Sequence, residues 1–156
     1  MGFYSGLVHS IKVAGLAVLA GVGAFSINYH LYHNVSWDTG DTIYLRKIDG
    51  PFANSELVFS YKRNEIILES SDPLWDGSRR YSDSDKNGIF DWVRIESSLL
   101  TVGDTGSFNQ KEHAQTHPEL LKQENIAYQQ KLKEFQKEFP LEFQRFGLED
   151  VIRAEP

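Results

Sequence analysis

From Val13 to Phe25 the chain reads VAGLAVLAGVGAF, a run without a charge or a strong hydrogen-bonding side chain. A run of this kind has three fates: burial in lipid, removal, or burial in protein. Each fate constrains the remainder of the chain. Tolerating His9, Ser10, Lys12, Ser26, Asn28 and His30 extends the apolar stretch from Leu7 to Tyr32, and a membrane span needs about 20 mostly apolar residues. On that reading residues 7–32 contact lipid and Lys12 snorkels toward a headgroup. Tyr29, Tyr32 and Trp37 then form an aromatic belt at the far interface. A cleavable signal peptide competes with it. The uninterrupted core has the length of a signal h-region, Lys12 supplies a weak positive n-region, and Val22-Gly23-Ala24 suits cleavage near Ala24. A buried helix of a soluble core is the third reading. Lys12 precedes the run, and no Lys or Arg comes after it until Arg46. The positive-inside rule therefore places the amino terminus in the cytoplasm and the remainder outside. The expectation is a single-pass membrane protein with its C-terminal domain outside the cytoplasm. Secretion after cleavage is the alternative.

Beyond residues 1–34 about 120 residues remain, enough for one modest core. Eight of the ten Phe, four of the seven Tyr and all three Trp lie there and supply its material. The formal charge of −6, with Arg46-Lys47, Lys62-Arg63 and Arg79-Arg80 as the only dense basic pairs, argues against a nucleic-acid surface. The absence of cysteine excludes disulfides, iron–sulfur clusters and thiol catalysis.

Asn34 to Asp41 is polar, contains Gly40, and reads as a juxtamembrane loop. Period-two patterning predicts strands at Thr42 to Ile48, Leu57 to Tyr61 and Glu65 to Glu69. Asn64, which tolerates left-handed backbone, closes a hairpin between the last two. Further short strands are expected at Arg79 to Ser82, Ile89 to Ser97 and Leu99 to Val102, with Val93 and Ile95 on one face and Phe90 and Trp92 on the other. Gly103 to Gln115 reads as irregular. Thr116 and Glu119 have the spacing of a capping box, with Pro118 in the first turn. A helix should then run from His117 to Phe139 and stop at Pro140. Its apolar stripe is Leu121, Tyr128, Leu132, Phe135 and Phe139, with Asn125 on the same line. The stripe either covers the sheet or docks a partner or a second copy. A final short helix is expected at Leu148 to Ala154. The fold class is α+β: an N-terminal transmembrane or signal helix (1–34), a small antiparallel meander of five or six strands (35–103), and a linker with a long amphipathic helix (104–156).

The most specific local signal is Asp83-Ser-Asp85-Lys-Asn87-Gly88-Ile89-Phe-Asp91. Calcium takes six to eight oxygens. Asp83, Asp85 and Asn87 alternate oxygen side chains, Gly88 permits a sharp turn, Ile89 offers its carbonyl, and Asp91 completes the set. These nine residues resemble the calcium loops of EF-hands, dockerin repeats and FG-GAP-type propeller repeats, built on D-x-D-x-[DN]-G-x-x-D. The resemblance covers nothing else. Arg94 stands where an EF-hand has a bidentate Glu, and the preceding Arg79 to Ser82 is not helical in pattern. The resemblance therefore implies a strand–loop–strand site with Asp83, Asp85, Asn87, Ile89 and Asp91 as ligands. Asp72, Asp76 or Glu96 is a candidate for a missing oxygen. Without the bidentate carboxylate the affinity should be about 10⁻⁴–10⁻³ M, the range of extracellular modules. A solvated acidic turn is the competing reading.

Other constellations fall short. His113 and His117 have helical spacing, but Ala114 stands where a zincin has its Glu. No nucleophile elbow or phosphate loop occurs. Trp37, Trp75 and Trp92 are capable of stacking on sugars, though core packing is the simpler assignment. Three functions are expected from these features. The first is a membrane-tethered extracytoplasmic structural or interaction module stabilised by calcium. The second is an exported metal-dependent hydrolase using Asp72, Asp76 and the loop. The third is an accessory subunit docking through the C-terminal helix.

Overall fold

A computed structural model describes residues 35–50, 53–74, 76–100 and 105–152. The expectations for the apolar segment, and those for Trp75, lie outside these residues. Among the described residues no helix is long and apolar enough to cross a membrane.

The domain is a seven-stranded sheet in strict sequence order: β1 (Val35–Asp38), β2 (Thr42–Ile48), β3 (Asn54–Ser60), β4 (Glu65–Asp72), β5 (Gly77–Asp83), β6 (Trp92–Glu96) and β7 (Gly106–Asn109). Every neighbouring pair is antiparallel. Period-two alternation explains this sheet. Ile43 and Leu45, then Leu57 and Phe59, then Ile66 and Leu68, then Val93 and Ile95 are buried on one face, while the residues between them point away. Asn64 turns the β3–β4 hairpin at φ 56°, as its left-handed tolerance predicts. Gly77 opens β5 at φ +77°, and a Cβ there would stand 1.9 Å from the Glu96 carbonyl oxygen. Only glycine meets both demands.

The meander has more strands than the five or six expected, and the extra ones are at its edges. Asn34 to Asp41 was expected as a loop, yet Val35–Asp38 pairs with β2. Gly103 to Gln115 was expected to be irregular, yet Gly106–Asn109 pairs with β6 and α1 (Gln110–His113) comes directly after it. Asn109 caps α1, its side-chain oxygen accepting from the Lys111 N–H at 2.9 Å. Leu99 and Leu100 are not a strand. They form an exposed bend after β6, 81% and 61% accessible.

Helix α2 (Pro118–Glu138) lies within one residue of its expected bounds. Its N-cap is His117, not Thr116, and no side chain caps it. Thr116 instead turns its hydroxyl back toward the His113 carbonyl at 3.4 Å, so the capping box does not form. Pro140 ends α2 and opens α3 (Pro140–Arg145), a helix too short to show a period in the sequence. Where the expected helix over 148–154 lies within the described residues there is one 3₁₀ turn, Glu149–Val151.

The stripe Leu121, Tyr128, Leu132, Phe135 and Phe139 is buried in the same core as the sheet residues, together with Phe143, Leu148 and Val151. These side chains are therefore covered within the domain. The buried line passes through Glu124, 6% accessible, and not squarely through Asn125. Trp37 and Trp92 lie outside this core, contrary to the simpler expectation: both project from the sheet face opposite the helices.

Candidate metal centre

The Asp83–Asp91 loop joins β5 to β6 and lies over an aromatic cluster. Tyr81, Phe90 and Tyr128 meet with ring centroids 5.3 to 6.2 Å apart. Phe90 was expected opposite Val93. It is fully buried in the core with it, because Phe90 belongs to the loop and the strand alternation restarts at Trp92. Asp91 pins this restart: its N–H donates to the Ser82 carbonyl at 2.7 Å, and its own carbonyl accepts from Gln110 N–H at 2.8 Å.

Asp83 ends β5 and is fully buried. Its Oδ1 accepts from the Asn87 N–H at 3.1 Å, and its Oδ2 from the Gly88 N–H at 2.9 Å. Tyr128 of α2 donates its hydroxyl to Oδ2 at 3.2 Å. All three donors are neutral. Burial pushes the Asp83 carboxyl up to about 6, with Asp85 adding to the rise, and the hydrogen bonds of Gly88, Asn87 and Tyr128 offset only part of it. Burial, together with the Asp83 charge, raises the Tyr128 phenol well above its ordinary range, so it remains a donor.

The rest of the loop is tied to itself. Asp85 accepts from the Asn87 N–H at 3.1 Å and from its side-chain amide at 2.7 Å. Asn87 accepts the Ile89 N–H at 2.8 Å. Asp91 accepts the Ser84 N–H at 2.7 Å and the Ser84 hydroxyl. Gly88 has φ +80° and Lys86 has φ 55°, which supplies the curl the nine-residue pattern demands. From α2, Gln129 donates to the Gly88 carbonyl at 2.6 Å and to the Val151 carbonyl at 3.2 Å. The loop is thus fastened to the helix by Tyr128 and Gln129. Neither residue carried a sequence signal for that role.

All five predicted ligands are in one curled loop, where Asp83 and Asp85 both accept from the Asn87 N–H; among the described residues no group of three histidine, aspartate or glutamate side chains is placed to hold a metal. A cation would take Asp85 and Asp91 from Asn87 and Ser84, both of which are exposed exchanges. The chemistry of the set fits a hard cation, since every candidate ligand atom is oxygen. The three proposed extra ligands are misplaced. Asp72 pairs with Gly77, Glu96 pairs with Ser78, and Asp76 lies in the turn between β4 and β5. Six residues of β5 separate that end from Asp83, about 20 Å at strand rise. The same separation dismantles the expected hydrolase set of Asp72, Asp76 and the loop.

His113 ends α1 and His117 precedes α2, with rings 5.6 Å apart and both against Phe108. They do not share one helix. Comparison with protein-family models, curated proteins and solved structures returns no match.

Proposed function

We propose that the protein is a membrane-tethered extracytoplasmic structural or interaction module whose sheet–helix joint is fastened by one calcium ion at Asp83, Asp85, Asn87, Ile89 and Asp91. One observation carries the reading: Asp83 is a fully buried carboxylate with only neutral hydrogen-bond donors around it. A divalent cation in the loop offsets the cost of burying that charge. It also stiffens the connection that Tyr128 and Gln129 grip. The apolar run over 7–32 supplies the tether to lipid, and the missing positive charge between Lys12 and Arg46 directs the domain outward.

The test is a thermal melt of the full chain in micelles with millimolar calcium, with magnesium, and with excess EDTA. At ten times a Kd of about 10⁻⁴ M, calcium stabilises by about 1.4 kcal/mol. For a domain of this size that is a rise of about 5 °C. Equal melting in all three conditions would return the loop to a solvated acidic turn. Protease accessibility of the domain in sealed vesicles tests the orientation separately, and cleavage near Ala24 would replace the tether with secretion.

A further inference from the structure

The helices cover one face of the sheet, and the opposite face carries an unexpected row. Taken strand by strand in register, Trp37 faces Tyr44, Tyr44 faces Val58, Val58 faces Ile67, Ile67 faces Ser82, and Ser82 faces Trp92. The row crosses six strands at right angles to them, five spacings or about 24 Å. Trp37 is 40% accessible, while Tyr44, Val58, Ile67 and Trp92 are half-buried. Trp37 stacks on Tyr44 with centroids 5.1 Å apart and rings nearly parallel. A solvated antiparallel face would alternate to polar residues here.

The row is one residue wide. Two residues along the strands on one side, about 7 Å away, Arg46 faces Glu56, Glu56 faces Glu69, Glu69 faces Arg80, and Arg80 faces Arg94. On the other side Thr42 faces Ser60 and Ser60 faces Glu65. This geometry selects the occupant. A helix is about 10–12 Å across and would bury the charged row, as would a flat bilayer. A nucleic acid would meet Glu56, Glu65 and Glu69. A linear ligand with apolar faces and hydrogen-bonding edges fits, and pyranose chains have that form. Their C–H faces pack on aromatic and aliphatic side chains, and their hydroxyls pair with mixed carboxylate, guanidinium and hydroxyl groups.

We propose that the sheet face opposite the described helices binds a neutral polysaccharide laid across the strands from Trp37 to Trp92. The row ends at Ser82 and Trp92, which flank the Asp83–Asp91 loop, but the proposal uses none of the loop's candidate ligands and does not depend on the calcium reading. The test is calorimetric titration of the full chain, in a zwitterionic detergent without sugar headgroups, with cellohexaose, chitohexaose and mannohexaose. At least one should bind with a Kd below ~1 mM. Trp37→Ala and Trp92→Ala should each weaken it tenfold or more while melting near the wild type. Leu141→Ala, on the exposed surface of α3, should leave it unchanged. No binding to any of the three overturns the proposal, as does binding indifferent to both tryptophans. A dimer that Trp92→Ala dissolves, with no oligosaccharide bound, would assign the face to a second copy and overturn it equally.

Discussion

Strand β5 and helix α2 exchange two tyrosine–carboxylate contacts, and the two are opposite in charge balance. Tyr81 of the strand donates to Glu124 of the helix at 2.6 Å, and Tyr128 of the helix donates to Asp83 of the strand at 3.2 Å. Spacing of two on the strand and four on the helix makes the pairs neighbours. Glu124 also binds the Arg79 guanidinium at 3.2 Å, and Arg79 reaches on to Asp76 at 2.9 Å. Asp83 has three neutral donors and a second acid, Asp85, beside it, and no cation. Two acids equally removed from water are thus handled differently: one with a resident cation, the other with hydrogen bonds alone. A soluble cation is therefore useful at only one of them. Charge is already neutralised at Glu124, and it remains to be neutralised at Asp83.

Substitutions that neutralise each acid separate the two sites most sharply. Glu124→Gln strips Arg79 of its buried partner and should cost about 2 kcal/mol after allowance for the partial exposure of Arg79. Asp83→Asn in EDTA removes an unbalanced buried charge but turns an NH₂ toward one of the donors, and should cost about 1 kcal/mol. It should also abolish the calcium response, whereas Glu124→Gln keeps it. Urea unfolding with and without calcium reads both. Equal costs in EDTA would erase the contrast between the two acids. Tyr128→Phe comes next: it leaves Asp83 with two donors and should cost about 1 kcal/mol in EDTA, with calcium recovering part of the loss.

A third polar contact between sheet and helix shows acid balance at the surface. Lys47 bridges Asp49 at 3.1 Å and Glu134 at 2.8 Å, and Lys131 bridges the same two acids at 3.2 Å each. Burial opposes ionisation of Asp49, but the Ser55 hydroxyl and the two ammonium groups hold it below the usual range. Burial likewise opposes ionisation of Glu134, and Lys47 and Lys131 hold it low. Folded-state values below the unfolded ones mean stability present above the unfolded pKa values, 3.8 and 4.5, and lost as the pH falls through the folded values. Melting tracked downward from pH 5 should show this loss. Lys131→Ala should reduce it and cost less than about 1 kcal/mol at neutral pH. An unchanged acid limb would show that the cluster contributes nothing to acid stability.

Much of the central sheet was readable because β2, β3, β4 and β6 alternate around Ile43, Leu57, Ile66 and Val93, and a period of two has one physical cause. Helix α2 was readable from Leu121 to Phe139 for the same kind of reason. The edge strands VSWD and GSFN were not, since four mostly polar residues carry no period and pair only because a neighbour is already in place. The loop pattern was legible to the residue, but its missing oxygens were sought at Asp72, Asp76 and Glu96. Only strand register shows that these sit at the wrong end. Glu124 carried no sequence signal, because its partner Arg79 is 45 positions away. The aromatic row on the face opposite the described helices was invisible for the same reason: each of its members comes from a different strand.

The most direct measurement is the Gly88 amide resonance of the uniformly ¹⁵N-labelled full chain during a calcium titration. The amide donates to Asp83 at position six of the loop. It should move in a saturable, single-site manner with a Kd of about 10⁻⁴–10⁻³ M, respond far less to magnesium, and lose the response in Asp85→Ala, whose exposed carboxylate is not needed for folding. A Gly88 resonance indifferent to calcium, or one that moves equally in Asp85→Ala, would contradict the calcium assignment.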